Sequence, residues 1–202
     1  MTTLKQLLIG TGNPGKASML HNLLQGCPSL QLKALKDYPV KMPEETGETF
    51  EENALLKAQH CAEQTRLPCI GDDSGLVIPA LGGIPGLRSA RWFDDFESPS
   101  ALFSHLEKEL QGKDHRAYFH CALAFSWPEE NVYFTVTGKA YGTLVFPPRG
   151  TSGFGYMSIF VPDEDPEGRT YAQLPEGKII GYHRAIAGQH LIDQLAPYFP
   201  RS

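Results

Sequence analysis

Apolar positions recur along the chain in two rhythms. Leu7, Leu8 and Ile9 form a short unbroken run that predicts a buried strand over 7–9. The segment Gly10-Thr11-Gly12-Asn13-Pro14-Gly15-Lys16 follows. Met19, Leu20, Leu23 and Leu24 then fall at helical spacing and predict a helix over 16–24. Residues 30–35 alternate well enough for a second strand. Thr49-x-x-Glu52 has the form of a capping box, opening a long helix to about residue 65. Its apolar face would use Phe50, Ala54, Leu55, Ala58, Cys61 and Ala62. Residues 68–71 read as a short buried strand that runs into Asp72-Asp73-Ser74-Gly75, and 76–78 continue extended.

The second half changes texture. Ser98-Pro99 supply an N-cap and first-turn proline for a helix ending near Leu110. Residues 118–125, 132–137 and 140–145 predict three strands joined by short turns, an antiparallel meander. Gly/Pro-rich loops occupy 80–87 and 147–156, and a last helix is expected over about 181–195, stopped by Pro197. With no internal repeat or long linker, the expectation is an α/β fold with a mixed central sheet and flanking helices.

Composition narrows the class of partner. The 202 residues, 41% hydrophobic and 20% charged, suit one large domain or two small lobes with a real core. A net charge of −5 argues against a nucleic-acid binder, which needs a basic excess. Cys27, Cys61, Cys69 and Cys121 form no C-x-x-C pair, so four reduced thiols and a cytoplasmic setting are expected. The opening MTTLKQLLIG has too short an apolar run for a signal peptide, and the longest uncharged stretch, 74–87, is broken by Pro and Gly, so no membrane partner is expected.

The candidate chemistry begins at the glycine loop. It lies one residue from a phosphate-binding P-loop, but Ala17 stands where that motif needs a Mg2+-ligating hydroxyl. Asp72-Asp73 follow a buried strand, where α/β sheets place their sites. Extended backbone sends the two side chains opposite ways, so one carboxylate can serve a ligand while the other anchors the loop. Glu44 and Glu45 add acids on another loop. A hard cation needs only one or two carboxylates plus phosphate oxygens, so the metal could be held away from residue 17. Near the C-terminus Lys178, His183 and Arg184 cluster; Arg184, a donor without acceptor capacity, suits fixed recognition of oxygen acceptors. Phe154-Gly155-Tyr156 could stack on a base or plug the core.

The segments TGNPGK (Thr11–Lys16), EETGETFEENALLKA (Glu44–Ala58), DDSGL (Asp72–Leu76), LGGIPGLRSAR (Leu81–Arg91), FHCALAF (Phe119–Phe125), GFGY (Gly153–Tyr156) and HRAIA (His183–Ala187) occur in an order that resembles the inosine triphosphate pyrophosphatase family across nearly the whole chain. The resemblance implies a single domain, 1–202, of two lobes with the active site in the cleft between them. It also implies a homodimer, Mg2+ dependence, and hydrolysis of ITP, dITP and XTP to the monophosphate and pyrophosphate, cleansing the nucleotide pool. By position, Thr11, Gly12, Asn13, Pro14, Gly15 and Lys16 would hold phosphates, Glu44 and Asp73 would ligate Mg2+, and Asp73 would be the general base. Lys57, Ser74 and Arg91 would be further substrate contacts. Phe154, Gly155 and Tyr156, with Met157 beside them, would meet the base, and Lys178, His183 and Arg184 would complete the base and phosphate contacts. Two positions depart from the family pattern: Met157-Ser158 replaces the usual Asp-Pro, and Tyr182 replaces the usual Ser. They raise the alternative of a nucleotide-binding or sensing module with little turnover. A P-loop kinase or GTPase is disfavoured by Ala17 and the late antiparallel strands.

Overall fold

A computed structural model describes residues 5–25, 30–175 and 182–199. Strand β1 (Lys5–Gly10) leads through the glycine loop into helix α1 (Pro14–Leu24) and strand β2 (Leu30–Ala34). Helix α2 (Phe50–Thr65) follows a long irregular strap, then strand β3 (Cys69–Val77), helix α3 (Pro99–Glu109), strands β4 (Arg116–Trp127), β5 (Val132–Leu144) and β6 (Phe160–Pro162), and helix α4 (His183–Leu195). The strands form one mixed sheet in the order β2-β1-β3-β4-β5-β6. β1 is parallel to both β2 and β3, with Leu8 beside Cys69 and Gly10 beside Gly71, while β5 and β6 are antiparallel. The expected α/β architecture is therefore present.

Local chemistry explains the helix starts. The Asn13 side chain caps α1 by accepting the Lys16 N–H at 3.1 Å, and Pro14 fills the first turn. Thr49 and Glu52 form the reciprocal capping box of α2. Ser98 caps α3 through the Ala101 N–H. Two details differ from the expectation. Residues 132–137 and 140–145 are not separate strands: Gly138-Lys139 stay extended inside one strand, β5. A lone glycine between two strand-forming runs does not make a hairpin when both runs pair more favourably as one ladder. On α2, Leu55 is only half-buried, whereas Asn53 and Lys57 are buried. The buried lysine is tolerated because two carboxylates meet it, as described below.

The chain divides into two compact units. One comprises Met1–Asp73, Cys121–Gly138 and Arg184–Ser202; the other comprises Ser74–His120 and Lys139–His183. In the first unit, strand alternation sorts the core to two faces. Leu7, Ile9 and Ile70 join Leu20 and Leu24 of α1 and Leu191 and Leu195 of α4. Leu8 and Cys69 point the other way, to Cys61 and Ala62 of α2. α2 lies hard against β3 at Gly71, where an added Cβ would sit 2.2 Å from the Ala54 carbonyl oxygen. Only glycine permits that approach.

In the second unit, Leu102, Phe103 and Leu106 bury the inner face of α3. Phe93 packs on Phe103 and on Tyr156. Phe119, Phe160 and Tyr171 form an aromatic cluster that the His183 ring joins by stacking on Phe119 at 4.9 Å. Among the described residues, no helix is long and apolar enough to cross a membrane.

Candidate functional site

The strand order puts β1 between β2 and β3, so successive connections leave β1 in opposite directions. The glycine loop ends β1 and the acidic pair lies in β3, which brings both to the crevice where α/β sheets bind ligands. The alternation that sorted the core also sorts the acids. Asp72 shares its face with Ile70, toward α1 and α4; Asp73 shares its face with Cys69, toward α2.

Each acid meets cations from the helices on its own side. Asp72 is 1% exposed. Its Oδ1 lies 2.7 Å from Lys16 Nζ, and its Oδ2 accepts Arg184 Nε–H at 2.6 Å. Burial alone would drive this carboxyl upward, but the charges and hydrogen bonds of Arg184 and Lys16 outweigh it and hold Asp72 well below the usual carboxylate range. The Cys121 thiol lies 3.9 Å from the same carboxylate; burial first, then Asp72, push that thiol far above the ordinary cysteine value. Asp72 is thus an ionised strut between α1, α4 and β3.

Asp73 is built differently. Its Oδ1 accepts from Lys57 Nζ at 2.8 Å, and the same ammonium meets Glu45 Oε1 at 2.6 Å. Its Oδ2 is buried with no hydrogen-bond partner among the described residues. Burial raises the Asp73 carboxyl; Lys57 and Lys16 pull it back only in part, and Glu45 adds to the rise. Burial would lower Lys57, but Asp73 and Glu45 carry it above its ordinary value. An orphaned carboxylate oxygen of raised basicity is what a water-activating base, or a ligand of a hard cation, requires. Among the described residues no group of three or more His, Cys, Asp or Glu is placed to hold a metal ion by itself, so a cation bound here would complete its shell with substrate or water oxygens.

The expected site residues fall into separate groups. In the first unit Thr11, Gly12, Asn13, Pro14, Gly15 and Lys16 form the loop and the first turn of α1; Lys16 and Arg184 meet through Asp72, and Lys57 meets Asp73. Glu44 is exposed on the strap, while its neighbour Glu45 is the acid that reaches Lys57. In the second unit Ser74 is half-buried and Arg91 is exposed in a short 3-10 turn. Phe154 is 43% exposed, whereas Tyr156 is buried with its hydroxyl donating to the Ser89 carbonyl at 2.9 Å. Met157 is buried against Gly153, where an added Cβ would sit 2.5 Å from the Met157 sulfur. A cavity of about 190 Å³ is lined by Gly150 to Gly155 and Ser158. His183 is buried in the aromatic cluster, and Tyr182 lies beside it with ring centroids 4.2 Å apart. Lys178 lies outside the described residues.

Sequence reasoning missed the Glu45–Lys57–Asp73 chain and the pairing of Asp72 with both Lys16 and Arg184. The second pairing spans 112 residues and carries no local signal. The first could have been suspected, because the helical face expected for α2 leaves Lys57 beside Ala54 and Ala58.

A family model described as the Ham1 family matches residues 7–194. A protein of Shigella flexneri named dITP/XTP pyrophosphatase is 41% identical over 198 residues, covering 95% of this chain and 98% of that one. One of the same name from Halorhodospira halophila is 39% identical, covering 95% and 97%. Among solved structures, a HAM1 protein from Coxiella burnetii superposes with a TM-score of 0.84 at 32% identity, covering 96% of this chain and 99% of that one. The Ham1 protein of Staphylococcus aureus gives 0.82 at 33% identity, covering 96% and 100%.

Proposed function

Because the chain belongs to the Ham1 family, we propose that it is a nucleoside triphosphate pyrophosphatase acting on dITP, ITP and XTP, which it converts to the monophosphate and pyrophosphate. The observation that carries this reading is Asp73: a buried carboxylate beside the glycine loop, with one oxygen fixed by Lys57 and the other unpartnered. The residues proposed for phosphate and metal, Thr11 to Lys16, Glu44 and Asp73, are all present in the sequence, which favours turnover over binding alone. We propose further that the active form is a cytoplasmic homodimer.

The proposed mechanism uses the chain's own groups as follows. Lys57 holds Asp73 Oδ1, which leaves Oδ2 buried and without a partner among the described residues. Asp73 Oδ2 accepts the proton of a water that attacks the α-phosphorus, and pyrophosphate departs. Without a bound metal, burial holds the Asp73 carboxyl above its ordinary value. Lys16 and the loop Thr11 to Gly15 receive phosphate oxygens, with Asp72 fixing where Lys16 starts. The proposed metal ligands are Asp73 and Glu44. Mg2+, when bound, offsets triphosphate charge and polarises the phosphoryl group under attack. Ser74, Arg91 and Lys178 are proposed as further substrate contacts. Phe154, exposed beside Gly155, is the aromatic available to a purine; Tyr156 and Met157 hold its loop from beneath. His183 and Arg184 are proposed to support the base and phosphate contacts, Arg184 from its anchored position on Asp72.

Incubation with ITP and Mg2+, followed by product identification, tests the proposal. IMP with pyrophosphate is expected. IDP with orthophosphate would make the protein a different hydrolase, and tight binding without any product would make it a sensor.

A further inference from the structure

A cavity of about 610 Å³ shares the glycine loop in its lining but not Asp72 or Asp73. That volume suits a small organic ligand of nucleotide size. It is bounded by the loop itself (Thr11 to Pro14), by Ala17, Ser18 and His21 of α1, by the end of β2, and by the strap that follows it to Met42. The helical wheel makes the separation concrete. Lys16 and Met19 lie on the side of α1 that meets Asp72 and Arg184, whereas Ala17, Ser18 and His21 project from the side roughly opposite. The cavity therefore lies toward β1 and β2, and the candidate catalytic crevice toward β1 and β3.

Its chemistry is two-sided. His21, Lys33 and Lys36 line it with a single acid, Asp37. Ser18 and Thr11 add hydroxyls. The remainder is apolar and includes Leu32, Val40, Met42 and the half-buried ring of Tyr38. Lysine side chains together with an aromatic, aliphatic lining match a ligand that carries a phosphate and a flat, weakly polar body.

We propose that this cavity is a second binding site, distinct from the one where hydrolysis occurs, and that it takes a nucleoside monophosphate. Lys33 and Lys36 receive the phosphate, and Tyr38 offers a face for the base. The site touches the back of the loop that is proposed to hold the substrate's phosphates, so an occupant restrains Thr11 to Pro14 from behind. The inference does not depend on which triphosphate is hydrolysed or whether any is.

Calorimetric titration of the wild-type protein with IMP, which needs no turnover, tests it. Two IMP per chain are expected. The double variant Lys33→Glu/Lys36→Glu should bind one, with affinity for the lost site down about tenfold or more from the reversed charges. Its melting temperature and ITP hydrolysis should match wild type. Titrations with inosine alone and with inorganic phosphate alone should each be weaker than with IMP. A single IMP per chain, unaffected by the double variant, overturns the proposal. A single IMP per chain that the variant weakens, together with a raised KM for ITP, also overturns it, because the lysines would then serve the substrate site. Inorganic phosphate binding as tightly as IMP would reduce the cavity to a simple anion site and overturn the nucleotide assignment. Loss of ITP hydrolysis in the wild type would leave the IMP result standing, so the two readings fail separately.

Discussion

Asp72 and Asp73 are adjacent, both buried, and electrostatically opposite. Asp72 is held below its unfolded value by Arg184 and Lys16 against the cost of burial. A depressed carboxylate stabilises the fold above its unfolded value of about 3.9, and that contribution drains away as pH falls toward the folded value. Asp72→Asn leaves Arg184 buried without its counter-charge and is expected to cost about 3 kcal/mol or more. Urea melts should show the variant less stable at pH 7, with a shallower further loss between pH values of about 5 and 3 than wild type. Parallel pH curves for the two proteins would remove Asp72 from this role. Asp73 has the opposite sign. Its folded value is raised, so its ionised form opposes folding above about pH 4. Asp73→Asn should therefore keep its melting temperature at pH 7 while kcat/KM for ITP falls by about 10²-fold or more. A folded variant with near-wild-type kcat/KM would show that another group is the base.

Helix α2 is the element that brings Lys57 to Asp73. Its start is set by the Thr49–Glu52 box and its depth by the absence of a side chain at Gly71. Gly71→Ala would place a methyl into the Ala54 carbonyl and lift α2 from β3, at an expected cost of about 2 kcal/mol. Because the same shift draws Lys57 away from Asp73, kcat should fall further than the loss of folded protein explains. Measuring kcat on protein that circular dichroism shows to be fully folded checks this. An unchanged kcat would mean that the helix position is not coupled to the base. Thr49→Ala, which removes only the cap, should cost about 1 kcal/mol and leave kcat alone.

For the molecule as a whole, the absence of a P-loop hydroxyl at Ala17 leaves carboxylates to hold the proposed metal. EDTA should abolish hydrolysis and Mg2+ should restore it. Glu44→Gln should raise the Mg2+ concentration needed for half-maximal rate. Glu45→Gln should mainly lower kcat, because it leaves Lys57 to Asp73 alone and so reduces the basicity of Asp73. A gain of metal affinity in Ala17→Ser, with Glu44→Gln silent, would return the metal to the loop and refute this arrangement.

The helix starts, the paired acids and the glycine loop were legible from the chain alone, because each depends on contacts within a few residues. Asn13 to Lys16, Thr49 to Glu52 and Ser98 to Ala101 are all three apart. The opposite facing of Asp72 and Asp73 followed from the two-residue period of a strand. What each acid would face did not follow. Strand alternation says that two neighbours diverge, but only the layering of α1 and α4 on one side and α2 on the other decides which cation each one meets. For the same reason Glu45 rather than Glu44 reaches Lys57, Tyr156 is spent on Ser89 while Phe154 stays exposed, and residues 132–144 remain one strand. Those outcomes are set by partners beyond the reach of one helical turn or one tight turn, whose influence on the local sequence is too weak to read and whose packing energy is large enough to prevail.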